Sequence, residues 1–209
     1  MNHPQNKHPG MNLGARHGPA HDDAESLVFG FWVFLMSDLI IFGLMFATYV
    51  TTLNPRAMAG GPAPKEVFDL TSAFIQTMLL LTSSVTFGMA SLALRHEHNK
   101  RRLILWLGVT LVLGLGFIGF ELRDFAKMLA DGAGPDRSGF LSAFFGLVPL
   151  HGLHVSGGIV WLIVMLIQIQ VIGLVPMVKT RLLRLGLFWH FLDIIWIGIF
   201  SVVYLWGLA

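Results

Sequence analysis

Five long apolar runs constrain this chain more than any other feature. They lie at about residues 27–50, 68–94, 103–122, 140–172 and 184–207. Crossing about 30 Å of hydrocarbon takes roughly 20 mainly apolar residues, because a helix advances ~1.5 Å per residue. Inside lipid the backbone must satisfy its own hydrogen bonds, which leaves helices or closed barrels. These runs are long and continuous, without the short alternating segments of a barrel strand. The expected fold is an all-α, polytopic membrane bundle of five transmembrane helices. Composition agrees, with 55% of the 209 residues hydrophobic and only 12% charged.

The loops give that bundle an orientation. Lys7 and Arg16 precede the first run, Arg95, Lys100, Arg101 and Arg102 separate the second and third, and Lys179, Arg181 and Arg184 separate the fourth and fifth. The opposite side carries Arg56, Lys65, Arg123, Lys127 and Arg137, nearly cancelled by Glu66, Asp69, Asp124, Asp131 and Asp136. Basic residues favour the cytoplasmic side, so the N-terminus is expected there and the C-terminus in the periplasm. Tyr204 and Trp206 are then expected to anchor the last run at the outer headgroups.

Residues 1–26 read as a polar, His-rich cytoplasmic tail, disordered, carrying His3, His8, His17 and His21 with Pro, Gly and Asn. They have no apolar core like that of a signal peptide. The stretches 54–66 and 131–139 are Gly/Pro-rich breakers between helices. Residues 27–209 form the transmembrane domain. With no cysteine in the chain, disulfides, thiolate metal sites and thioether-linked haem are excluded, leaving imidazole and carboxylate as the strong ligands. A net charge of +2 with scattered basic residues gives nucleic acid no surface to bind. Gly114, Gly116 and Gly119 sit inside the third run, where small residues permit close helix packing.

Ionisable groups at membrane depth are costly and usually face a partner, a cavity or a function. Six qualify: Asp38, Glu121, His151, His154, His190 and Asp193. His151/His154 and His190/Asp193 are each spaced i, i+3, so each pair shares a helix face. Counting from opposite membrane surfaces puts His154 roughly 20 Å and Asp193 roughly 12 Å into a slab of about 30 Å, nearly level. A His/Asp contact between spans four and five is therefore open, as part of a polar seam of His151, His154, His190 and Asp193. Three chemistries suit the cluster: interhelical hydrogen bonds that fix packing, a bis-imidazole haem, or an imidazole and carboxylate metal centre, which the lack of Glu-x-x-His repeats disfavours.

The same residues carry a resemblance. PLHGLHVSGG with Trp161, and FWHFLDIIWIGIFSVVYLWG from Phe188 to Gly207, resemble subunit III of the haem-copper oxidases. FWVFLMSDLIIFGLMFATY, LLLTSSVTFGMASLAL, GFIGFELRDF and GPDRSGFLSAFF extend the likeness, in order, over about 180 residues. Within that family the phrasing is most similar to the branch serving bacterial cytochrome bo-type ubiquinol oxidases. The resemblance implies an accessory chain with no catalytic, cofactor-binding or metal-binding residue of its own, in the bacterial inner membrane. Haem and copper would belong to a catalytic subunit I, which oxidises quinol, reduces oxygen to water and pumps protons. This chain would pack against that partner and other subunits, bind phospholipid and sustain proton uptake. The family's WHFxD element falls on Trp189, His190, Phe191 and Asp193, and its HGxHV element on His151, Gly152, His154 and Val155. Its third-span Glu falls on Glu121, and its first-span acid on Asp38, where many relatives have Glu.

Two further helices that precede the bundle in the mitochondrial-type subunit are missing, so lipid-cleft residues do not transfer. Other readings are subunit III of a cytochrome c oxidase or of a nitric-oxide-reductase-associated relative and, from another class, a free-standing haem or quinone-binding membrane cytochrome.

Overall fold

The computed structural model describes residues 19–58, 68–94 and 100–206, with side chains from Ser26 onward. Five long helices dominate: α1 (Pro19–Thr52), α2 (Leu70–Leu92), α3 (Lys100–Ala130), α4 (Gly139–Val171) and α5 (Pro176–Ile199), the last continuing as a π-helical turn, Phe200–Leu205. All five are long and apolar enough to cross a membrane. A single helical turn, Pro55–Met58, follows α1.

Every apolar run is a helix, but the helices outrun them. Arg123, Asp124 and Lys127 lie in α3 rather than in a loop, and Lys179, Arg181 and Arg184 lie in the first turns of α5. Hydrophobicity marks only the stretch that must sit in hydrocarbon. Lys, Arg and Glu are good helix formers and carry the same helix on into the headgroup layer. Similarly, α1 begins at Pro19, inside the segment 1–26 expected as a tail. The rest of that segment, with Lys7, Arg16, His3, His8 and His17, lies outside the described residues, as do Lys65, Glu66 and Arg95.

Local chemistry sets several ends. At the start of α2 the Asp69 carboxylate accepts hydrogen bonds from the amides of Thr71 at 2.9 Å and Ser72 at 3.4 Å, capping donors the helix cannot use. Ser138 caps α4 by accepting from the Leu141 amide at 3.1 Å. After α3, Gly132 takes φ +74°, and the amides of Gly132 and Ala133 bond back to Leu129 and Met128. That is a Schellman closure, which needs a residue free to adopt a left-handed backbone. The α4 to α5 connection is only residues 172–175, so these helices must be antiparallel neighbours.

Packing centres on α5, which contacts α1, α2 and α4, while α3 joins α2 and α4. Trp189 and Trp196 are among the largest fully enclosed side chains. The bulk of Trp189 is accommodated by missing side chains. A Cβ on Gly114 would come within 3.1 Å of its ring and one on Gly158 within 3.3 Å. Close approach of this kind lets dispersion, rather than the hydrophobic effect, hold helices together in lipid. Of the three glycines expected to permit it, Gly114 does so. Gly116 would make only ordinary contact with Leu79, and Gly119 faces open space.

Helix α1 is the least enclosed. Its inner seam is Phe31, Leu35, Asp38, Phe42, Met45 and Tyr49, alternating steps of four and three as a coiled-coil stripe does. The opposite face is open, with Ile40 74% exposed.

The C-terminal turn corrects an expectation. Tyr204 does not anchor at the headgroups: it is buried, its ring 5.2 Å from Phe68 and 6.3 Å from Trp196, whereas Trp206 is exposed. A π-turn accommodates an extra residue per turn, so side chains beyond Phe200 are rotated from the phase that unbroken α-helical counting assigns them.

Candidate functional site

The six ionisable residues do not form one seam. They are divided among three helix contacts at membrane depth.

The first joins α1 to α4. His154 Nε2 lies 3.7 Å from Asp38 Oδ2, and His154 Nδ1 is 2.7 Å from the Leu150 carbonyl oxygen. A carbonyl only accepts, so Nδ1 carries a hydrogen and Nε2 turns to the acid. The pair is net neutral either as carboxyl and imidazole or as carboxylate and imidazolium, and neutrality is what a low-dielectric setting demands. Phe42 closes one side, its ring 5.2 Å from that of His154. This corrects the sequence-based pairing: the acid opposite His154 is Asp38 of α1, not Asp193 of α5. Asp38 and Asp193 both sit near mid-membrane, so depth alone could not choose between them.

The second contact joins α3 to α4. Glu121 is 3% exposed, and its carboxylate lies directly over Gly152. A Cβ there would stand 2.6 to 2.8 Å from the carboxylate atoms, so only glycine allows the approach. The adjacent His151 is fully buried among aromatic rings, stacked 5.4 Å from Trp196 and edge-on to Phe117 at 6.0 Å. The HGLH spacing thus serves two neighbours, with His151 and Gly152 toward α3 and α5 and His154 toward α1.

The third contact joins α2 to α5. His190 Nδ1 and Ser84 Oγ are 2.7 Å apart. Asp193, one turn along α5, is buried. Beside this pair the Trp189 indole donates to Ser83 at 3.0 Å, and two turns on the Trp196 indole donates to Thr77 at 3.0 Å. The two hydroxyls donate in turn to their own helix, Ser83 to the Leu80 carbonyl and Thr77 to that of Ala73. Each indole therefore enters a hydrogen bond that α2 has already half built.

Ser83, Ser84 and Thr77 were not singled out from sequence. Hydroxyls in helices commonly bond their own backbone, which makes them look self-sufficient. The available signal was spacing: Thr77 and Ser83 are about two turns apart on α2, as Trp196 and Trp189 are on α5. The hydropathy pattern places Asp124 among the loop charges. It is an interhelical clamp, accepting from Ser72 at 2.5 Å and from Gln76 at 2.7 Å. Thr86 and Thr110 make a further α2 to α3 bond at 2.8 Å.

A bis-imidazole haem needs two rings presented to one cavity. The three imidazoles stand at different helix contacts instead: His154 between Leu150 and Asp38, His190 beside Ser84, and His151 in an aromatic stack. Among the described residues no three His, Asp or Glu side chains converge as metal ligands. These contacts each tie one helix to its neighbour.

Comparison with known proteins gives one consistent pattern. The family model described as cytochrome c oxidase subunit III matches residues 12–208. Cytochrome bo(3) ubiquinol oxidase subunit 3 of Pseudomonas aeruginosa is 48% identical, covering 97% of this chain and 96% of the relative. The protein of the same name from Buchnera aphidicola is 42% identical over 86% of this chain and 91% of its own. Quinol oxidase subunit 3 of Bacillus subtilis is 41% identical over 87% and 88%.

Proposed function

The chain belongs to the cytochrome c oxidase subunit III family, and from that premise we propose that it is the accessory third subunit of a proton-pumping ubiquinol oxidase in a bacterial inner membrane. The observation that carries the reading is likeness along nearly the whole of both chains to subunit 3 of ubiquinol oxidases. The geometry supports a role without redox chemistry in this chain, because its intramembrane imidazoles and acids lie at helix contacts. The catalytic subunit I holds haem and copper, oxidises quinol and reduces oxygen. The present chain braces that subunit, binds phospholipid on its apolar flanks and sustains proton uptake. Asp38, Glu121, His151, His154, His190 and Asp193 keep the five helices in register, and the N-terminus faces the cytoplasm. Basic residues at the cytoplasmic end, such as Lys100 and Arg181, meet anionic headgroups.

The test is purification through a tag on this chain, in mild detergent. The expected result is co-purification with a haem-containing subunit, turnover with ubiquinol, and no Soret band in the chain once separated. A Soret band retained by the separated chain overturns the accessory reading. Turnover with reduced cytochrome c and none with ubiquinol moves the complex to the cytochrome c oxidases. Removing the chain should leave initial quinol oxidation largely intact but shorten the number of turnovers before activity decays.

A further inference from the structure

Six buried side-chain nitrogen or oxygen atoms among the described residues have no hydrogen-bond partner, and three of them stand at one helix contact. They are Glu121 Oε1 on α3 and both ring nitrogens of His151 on α4. A polar atom kept from water and from protein costs as much as a lost hydrogen bond, so three together call for a physical reason. Headgroups are out of reach. Glu121 lies nine residues before the end of α3 at Ala130, and His151 twelve after the start of α4 at Gly139, roughly 14 and 18 Å along their helices.

His151 departs from the way this bundle treats its other polar side chains. His154, one turn on, closes Nδ1 on the carbonyl four residues back, and the hydroxyls of Thr77, Thr110 and Ser156 do the same. The His151 ring makes no such bond. It is held by aromatic rings from three other helices: Phe42 of α1 at 6.3 Å, Phe117 of α3 at 6.0 Å and Trp196 of α5 at 5.4 Å. None has a donor to spare, since the Trp196 indole donates to Thr77. Glu121 is in the same position. Ser72 and Gln76 of α2 donate to Asp124, one turn further along α3, and Arg123 is exposed and turned to Asp124 as well.

The two groups share a neighbourhood. Phe117 and Glu121 are one turn apart on α3, and His151 and Gly152 are consecutive on α4; the Phe117 ring meets His151 while the Glu121 carboxyl meets Gly152. Yet neither group is the other's hydrogen-bond partner. Few ligands suit such a place. Glu121 is 3% and His151 0% exposed, which closes them to a lipid or quinone headgroup. A metal ion needs more than one carboxyl and one imidazole, and no third His, Asp or Glu converges with them among the described residues. Water is small, donates and accepts, and so serves a carboxyl oxygen and an imidazole nitrogen in either tautomer. Buried water typically makes about three hydrogen bonds to polar groups otherwise left unmet.

We propose that the Glu121–His151 contact is a buried water site, in which water bridges the carboxyl on α3 to the imidazole on α4 and ties together the four helices that meet at His151. The inference concerns this chain alone and stands whichever subunits surround it.

A density map of the intact purified complex, at a resolution that shows ordered water, should place water within about 3.2 Å of both Glu121 and a His151 nitrogen. Radiolytic footprinting gives an independent reading. In heavy-oxygen water, X-ray pulses make hydroxyl radicals from bound water, and these oxidise the side chains touching it. Phe117 should take up the label although it is buried, whereas Phe144, also buried but ringed by Phe68, Phe125 and Phe145, should stay at background. His151→Phe and Glu121→Leu should each abolish the Phe117 label, and Glu121→Gln, which keeps a hydrogen-bonding oxygen, should retain it. A direct carboxyl–imidazole hydrogen bond in the map, no density between the two groups, or Phe117 labelled no more than Phe144 overturns the site. So does label that survives either apolar substitution, since other groups then hold the water. Should the substituted chains fail to assemble, the map and footprint of the unmodified complex decide.

Discussion

Gly152→Ala tests the tightest contact in the bundle. The added Cβ would stand 2.6 to 2.8 Å from the Glu121 carboxylate atoms, against 3.4 Å or more for ordinary contact, so about 0.6 to 0.8 Å must be found. Normally the end of a glutamate would swing aside cheaply. Here it is 3% exposed, beside the closed aromatic stack of His151, Phe117 and Trp196. Overpacking of a closed site costs typically ~1–3 kcal/mol. Replacing Gly by Ala inside a helix returns about 1 kcal/mol.

The matched control is Gly157→Ala, on the same helix, where a Cβ meets nothing within 4 Å. Both changes gain the same propensity, so the difference between them isolates the steric term at ~1–3 kcal/mol. For a chain of this size that separates their thermal midpoints by roughly 2–12 °C, measured as loss of the chain from the detergent-solubilised complex on heating. Glu121→Asp, shorter by one methylene, should recover most of the loss when combined with Gly152→Ala. Equal midpoints for the two alanine variants, or no rescue by the shorter acid, would refute the account of why a glycine stands between the two histidines.

Asp38→Ala and His154→Ala should be non-additive, with a coupling of about 1 kcal/mol typical of polar pairs in membranes, whereas His154→Ala with Asp193→Ala should add simply. Both cycles are read from denaturant unfolding of the bundle. Trp189→Phe keeps most of the ring but removes the indole donor to Ser83. It should cost about 1 kcal/mol and lose its effect in a Ser83→Ala background. Asp69→Ala removes the cap of α2 and should destabilise by about 1 kcal/mol, with Asp69→Asn nearly neutral. Faster amide exchange at Thr71 and Ser72 is the direct check.

The five helices were legible because the bilayer sets a minimum apolar length that few other structures produce. Their ends were not, since hydrophobicity stops at the hydrocarbon boundary while Lys100 and Arg123 continue helices past it. The six intramembrane ionisable residues were found by cost alone. Their partners depend on how each helix is rotated and which helices touch, and a single sequence does not carry either quantity. That is how His154 came to be matched in depth with Asp193 when Asp38 stands level with it on α1. Tyr204 failed for a narrower reason: one π-turn shifts phase without leaving a mark in hydropathy. The Ser83–Trp189 and Thr77–Trp196 bonds were hidden because a hydroxyl that serves its own helix looks complete until an indole arrives.

Those two bonds set a timetable. The helix bearing Trp189 and Trp196 is the fifth to be made, and Tyr49 donates to a carbonyl 154 positions later, at Val203. At about 5–20 residues per second, Tyr49 waits roughly 8 to 30 s for Val203, and Ser83 roughly 5 to 20 s for Trp189. Until then the four earlier helices lack the element that contacts α1, α2 and α4 together. Arrival of the fifth helix is therefore the event that closes the molecule, because only then do the indoles of Trp189 and Trp196 reach Ser83 and Thr77.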